Sequence, residues 1–204
     1  MNFTALQAAV ADYIHRSDLG TTQIPSYFIE FARLRIGRDV RGLANLKSTT
    51  ISSWTSSAAA LPVDLGRLRT VSFGGVALTS ISSEELGWYS GSGEPVVYAV
   101  RAQQFVIPGV GASSSILIEY WAIPAALSAG SDISAGMAEW PHIWIHAATI
   151  EAALWQRDYE TVRTLTEFYS AEVERINHQC QEQLFGNAPA VVADQPMLQS
   201  AGWL

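Results

Sequence analysis

His142 and His146 stand four residues apart in a stretch of helical period, with Glu139 and Glu151 nearby. Two imidazoles one turn apart on a helix are half of a zinc site. A zinc protease helix also needs a glutamate directly after the first histidine to act as general base, and that position is Ile143. No other cluster of His, Cys or Asp offers a third ligand, so the pair reads as partly buried structural groups or as surface residues beside Trp140 and Trp144. Ser90-Gly91-Ser92-Gly93 is a turn and not a nucleophile elbow. Gly109-Val110-Gly111-Ala112 lacks the length and the lysine of a phosphate loop and the third glycine of a dinucleotide fingerprint. Carboxylate pairs such as Glu84-Glu85 exist, but the sequence places no second carboxylate opposite them across a cleft. The reading is a protein with no catalytic residue, no metal and no cofactor. A metal- or carboxylate-dependent hydrolase is the alternative.

Charge offers three further candidates. Glu160, Glu167 and Glu174 recur every seven residues on the side of a long helix away from its apolar seam, which makes either a solubilising face or an acidic stripe lining a DNA passage. Arg163 can pair with Glu160 or Glu167 and soften it. Arg33, Arg35, Arg38 and Arg41 form the only basic stretch, spread around a helix, and fit either in-chain pairing or contact with a phosphate or an acidic partner. The chain has 12 Lys/Arg against 19 Asp/Glu, a net charge of −7, and residues 136–204 alone hold nine acids against three bases. Such a balance argues against a general nucleic-acid binder, whose affinity comes from clustered cations.

These residues are positioned by a chain of 204 residues, enough for a sizeable core. The organising stretch is Glu139 to Phe185, read as a helical hairpin. Trp140, Ile143, Trp144, Ala147, Ile150 and Leu154 carry one apolar seam, and Val162, Leu165, Tyr169, Val173, Ile176, Cys180 and Leu184 carry the other. Pro141 suits a first turn, Asp158 a cap, and Gly186 a stop. Phe3, Leu6, Val10, Tyr13 and Ile14 predict a first helix ended by Asp18-Leu19-Gly20. A second opens at Ile24-Pro25, its apolar side on Tyr27, Phe28, Phe31, Leu34, Val40, Leu43 and Leu46. Gly37 and Gly42 weaken that helix, which suggests a second backbone close by. Ser48 to Ala60 reads as a linker. Short runs at Leu68–Phe73, Val76–Leu78, Val96–Val100, Phe105–Ile107 and Ile116–Trp121 predict a small antiparallel sheet, with Gly74-Gly75 as a tight turn and Ser82 with Glu85 as a capping box. Trp88, Tyr89 and Tyr98 could then form a sugar- or protein-binding patch, a second alternative function.

The fold class is α+β: a helical bundle with a long C-terminal helical hairpin and an inserted small antiparallel β lobe. Residues 1–47 supply the N-terminal helices, 48–135 the β lobe with linkers, 136–186 the hairpin that completes the helical domain, and 187–204 an extended arm. That arm has two prolines, no Lys or Arg, and an apolar finish at Pro196, Met197, Leu198, Trp203 and Leu204, suited either to a partner's groove or to folding back on the chain's own core. No apolar run approaches the roughly 20 residues of a membrane helix. The first residues lack a secretory signal. One cysteine, Cys180, cannot form an intrachain disulfide, so a reducing cytosol or a particle assembled there is expected.

The stretch Leu61-Pro62-Val63-Asp64-Leu65-Gly66-Arg67-Leu68, the Gly-Gly turn, Ser82-Ser83-Glu84-Glu85-Leu86, Trp140-Pro141-His142-Ile143-Trp144 and Ala147 to Leu154 together resemble tailed-bacteriophage head-to-tail adaptors from about Phe3 to Phe185. His142 stands where that family usually has an acid, and the break Gln156-Arg157-Asp158-Tyr159 is lightly charged for it. The resemblance implies a virion protein forming a ring of twelve identical subunits between the portal ring and the tail nozzle or tail-tube proteins. DNA would pass through it without sequence-specific binding, and no membrane would be involved. It also implies a C-terminal arm that grips the portal.

Overall fold

The computed structural model describes residues 1–14, 24–54, 57–89, 94–111 and 114–185. The segment Asp18-Leu19-Gly20, the turn Ser90 to Gly93 and the whole arm, Pro196, Met197, Leu198, Trp203 and Leu204 included, lie outside the described residues. Among the described residues, five α-helices and eight strands make an α+β fold.

Helix α1 (Phe3–Tyr13) starts where the Asn2 side chain accepts a hydrogen bond from Ala5 N, and it buries Phe3, Leu6 and Val10. Its first turn is tied down by Phe3 N donating to Asp132 O at 3.0 Å. A π-helical segment (Ile24–Ile29) leads into α2 (Glu30–Asp39). The second helix is therefore shorter than its apolar period predicts. Val40 leaves it in extended conformation, and the chain passes through a 3-10 turn at Leu43–Asn45 into strand β1 (Leu46–Ile51).

The expected linker from Ser48 to Ala60 contains β1 and β2 (Ala58–Ala60). Both are edge strands, and their small and hydroxyl side chains hide the alternation that betrays a strand with one face in the core. The remaining strands are β3 (Leu65–Phe73), β4 (Val76–Ala77), β5 (Thr79–Ser80), β6 (Val97–Arg101), β7 (Gln104–Val106) and β8 (Ile116–Ala122). They form two four-stranded sheets, ordered β1-β8-β3-β4 and β2-β7-β6-β5, in place of one small antiparallel sheet. All pairs are antiparallel except β5 with β6. Gly74 and Gly75, both at positive φ, make the β3–β4 turn, and Ser82 with Glu85 forms the reciprocal cap that the sequence predicts. Trp54, Val71, Tyr98, Phe105, Ile107, Ile116 and Ile118 form the buried core of this β region.

Helix α3 (Ala135–Glu139), capped by Ser134, lies just before α4, where the sequence predicts no separate helix. Helices α4 (Pro141–Gln156) and α5 (Tyr159–Phe185) follow, joined by Arg157 in left-handed conformation and by Asp158, whose carboxylate accepts from Thr161 N and Oγ1. They run antiparallel, His142 meeting Glu172 and His146 meeting Phe168. The predicted seams are buried at Trp140, Ile143, Trp144, Ala147, Ile150, Leu165, Tyr169, Val173, Ile176 and Cys180, whereas Leu154 is exposed. With α1 and α2 they enclose a second core.

The two regions meet at glycines. A Cβ on Gly37 would stand 3.0 Å from Ile123 Cα, and one on Gly66 would stand 2.7 Å from Gly37 O and 2.8 Å from Trp121 O. Gly37 thus does face another backbone, whereas Gly42 faces the Trp140 ring. Because backbone cannot yield as a flexible side chain can, Gly66→Ala is expected to cost about 1–3 kcal/mol, read as a lower urea midpoint with an unchanged slope. A midpoint within error of wild type would mean that α2 and β3 are not pressed together.

Candidate interaction surface

The histidine pair is held by α5. His142 Nε2 contacts the Glu172 carboxylate, which also accepts from Arg175 Nη2 at 2.5 Å. The His146 ring lies 6.4 Å from that of His142 and 6.4 Å from Phe168, with its Nδ1 buried and unpartnered. Among the described residues no group of three His, Cys, Asp or Glu could hold a metal ion. Through Glu172 and Phe168 the two histidines lie in the α4–α5 contact.

Arg175, with His142, holds the Glu172 carboxyl down from 4.5 to about 2, against a smaller upward push from burial. Burial, and then the neighbouring His142, hold His146 below its ordinary 6.5. Since His146 binds its proton more readily in the unfolded chain, stability falls as pH drops through 6.5. Glu172 contributes stability that is full above 4.5 and lost between 4.5 and about 2. A two-step acid limb in the melting temperature is expected. His146→Gln should flatten the upper step and Glu172→Gln the lower one, as followed by thermal melts between pH 7.5 and 2.5. A profile that neither substitution changes would remove this pair of groups from the acid response.

The four arginines of the basic stretch do not form a common surface. Arg33 donates to Glu30 and, from Nη1 at 2.7 Å, to Pro124 O. Arg35 Nε donates to Glu151 at 2.9 Å and Arg38 Nε to Asp39 at 3.1 Å. Arg41 Nε is buried without a partner. The exposed side of α2 carries Phe31 (49%) and Leu34 (43%) with Arg38, and Tyr27, 55% exposed, precedes them in the π-helical segment with its ring 6.5 Å from that of Phe31. Within α2, Phe31 and Leu34 sit opposite the buried Ala32 and Ile36 at 100° per residue. The sequence reading placed them in the core because apolar residues at helical spacing look alike from either side.

Glu160, Glu167 and Glu174 are all exposed on the face of α5 opposite its buried seam, and Arg163 reaches Glu167 at 3.6 Å. In the β region Trp88 and Tyr89 are exposed, but Tyr98 is buried edge-on against Phe105. The three do not form one exposed patch, because Tyr98 lies on β6, whose first three residues are all buried.

A groove of about 290 Å³ lies where α2 meets the β region, lined by Arg33, Leu34, Lys47, Val63, Asp64 and Ile123 among others. At its floor Asp64 accepts from Lys47 Nζ at 2.5 Å and from the Tyr120 hydroxyl at 2.9 Å, while its carbonyl accepts from Ile123 N. Burial pushes the Asp64 carboxyl up, but these hydrogen bonds outweigh it and hold it below its ordinary range. Leu61-Pro62-Val63-Asp64 is thus a knot that ties β1 and β8 to the start of β3. Sequence reasoning notices the motif but not these partners, which come from distant strands.

An α+β chain whose cations are largely taken up in its own ion pairs, and which leaves aromatic side chains at its surface, suits contact with other proteins. Residues 1–192 match the SU10 adaptor protein family. That is nearly the whole chain, and the chain belongs to that family. The resemblance to phage head-to-tail adaptors therefore holds, and with it a structural place in the virion. No curated protein matches the chain. Pro196, Met197, Leu198, Trp203 and Leu204 lie beyond the matched residues.

Proposed function

We propose that this protein forms a ring between the portal and the tail and surrounds the DNA passage, without catalysis. The family match over residues 1–192 carries the reading. In this reading residues 1–47 and 136–186 form the helical domain, with the α4–α5 hairpin at its centre. Residues 48–135 form the β lobe, turned toward the tail nozzle or tail-tube proteins. Residues 187–204 are the arm, and Met197, Leu198, Trp203 and Leu204 fill apolar sites on the portal. Twelve copies close the ring. The acidic stripe of Glu160, Glu167 and Glu174 faces the channel, where like charge keeps DNA from sticking. Assembly takes place in the host cytoplasm and needs no membrane; among the described residues no helix is long and apolar enough to cross one.

The test is the mass of the purified protein in solution, alone and with a portal ring. Growth from monomer to a ring-sized species on adding the portal supports the reading. A small oligomer indifferent to the portal overturns it.

A further inference from the structure

We propose that residues 190–195 of this chain pair, as an added strand, with the free edge of β1. The inference does not depend on the ring reading. It concerns the near half of the arm and leaves the apolar finish from Met197 to Leu204 to its partner.

Among the described residues the two sheets end in four edge strands, and three of them are short. β4 and β5 have two residues each and β2 has three. Beyond β4 the side of β3 lies open from Leu65 to Val71, but that stretch carries two register shifts and meets α2 at Gly66. β1 is different: six residues, paired with β8 residue for residue without a bulge, and free of proline and glycine. Alternate residues of β1 turn their N–H and C=O away from β8, and no strand among the described residues receives them. Long edges are usually blunted by a bulge, a proline or an outward lysine. Lys47 is the one charge on β1, and Asp64 draws its ammonium aside at 2.5 Å.

What reaches this edge is set by α5. Asn177 accepts from Arg41 N, and Cys180 and Gln183 line one small cavity with Gly42 and Leu43. Residues 41–43 therefore run beside α5 in its own direction, and the end of the helix at Phe185 comes beside the first residues of β1. Burial pushes the Cys180 thiol up while Trp121, the cross-strand partner of Leu46, pulls it back, which puts the start of the β1–β8 ladder next to the same stretch of α5. Gly186 to Pro189 reach up to about 14 Å when extended, against about 4.8 Å between neighbouring strands.

The segment that follows suits a strand. Pro189 and Pro196, which cannot donate to a ladder, bracket Ala190-Val191-Val192-Ala193-Asp194-Gln195, a run as long as β1. Adjacent β-branched residues favour extended backbone. Starting beside Leu46, the run lies parallel to β1, as β5 lies parallel to β6. The family match continues past α5 to residue 192 and stops before Met197, so the near half of the arm is shared with the family and the finish is not. A four-residue tether holds the run at the edge at an effective concentration on the order of millimolar, which a free partner strand does not match.

The test is amide hydrogen exchange of the full-length protein without portal, read over residues 46–51 and 190–195. Wild type should protect alternate β1 amides at least about tenfold more than a full-length chain carrying Val191→Pro and Val192→Pro, while the amides of α4 exchange alike in both. Alternate N–H groups of a strand face its neighbour, so the double change removes the one that faces β1 whichever it is. β1 amides that exchange alike in the two proteins, whether fast or slow, would overturn the proposal. So would protection that rises with protein concentration, because the strand would then come from a second copy. Neither result touches the portal contact of Trp203 and Leu204, which is read from the joining of tails.

Discussion

Trp144→Ala should lower the free energy of unfolding by about 3–5 kcal/mol, the largest loss expected from any single side chain in the protein. Trp144 is 1% exposed in the helical core, on the helix that α1, α2, α3 and α5 all contact. Its neighbours along α4, Ala147, Ala148, Ala152 and Ala153, are buried alanines without rotamers that could swing into the space. Relaxation is therefore limited, and the cavity term adds to the lost transfer energy. One opposing contribution exists, because the indole Nε1 is buried without a partner and its removal relieves a desolvated donor. Trp144→Phe separates the two, removing that N–H while keeping most of the volume, and should cost much less. Domains of ordinary stability have about 5–15 kcal/mol to lose, so the alanine variant should show a sharply lower urea midpoint and reduced recovery of folded protein. Trp155, which is 57% exposed, is the control and should tolerate alanine within about 1 kcal/mol. A Trp144→Ala protein within 1 kcal/mol of wild type would show that α4 is not the pillar of the helical core.

What the sequence revealed followed from how fully each element is buried. On α5 one side is buried and the rest is mostly polar, so the seam from Leu165 to Cys180 could be read from spacing alone, whereas α4 is buried nearly all round. From Tyr27 to Ile36 the same spacing misled, since Tyr27, Phe31 and Leu34 are exposed and the core is filled by Ala32 and Ile36. Period tells how side chains are grouped around a helix, not which group the protein covers. The edge strands β1 and β2 escaped because Lys47, Ser48 and Thr49 face solvent or a neighbouring strand and bury little. Caps and turns were legible, as at Ser82, Asp158 and Gly74, because their partners lie within three or four residues. The close approach at Gly37 could be suspected, but Ile123 as its partner could not be named. The histidine pair shows the same limit, for Glu172 comes from a different helix.

Deleting residues 187–204 should abolish the joining of tails to portal-containing heads while leaving the melting temperature within about 2 °C of wild type. The second half follows from the core. Leu165, Tyr169, Val173 and Ile176 on α5 belong to one buried cluster with Ile143, Trp144, Ala147 and Ile150 on α4, so the two helices satisfy one another. A shift under 2 °C corresponds to less than about 1 kcal/mol for a chain of this size. The first half follows from chemistry: the deleted segment has no Lys or Arg, and Met197, Leu198, Trp203 and Leu204 are large apolar groups that gain by leaving water for a partner's pockets. Trp203→Ala with Leu204→Ala should reproduce most of the loss if those anchors carry the contact. The readout is the fraction of tailed particles formed from purified heads, adaptor and tails. Truncated protein that joins tails at the wild-type level would sink the portal role of the arm. A drop of more than about 5 °C would instead place the apolar finish on the chain's own core, and the portal contact would then have to be sought on the body of the protein.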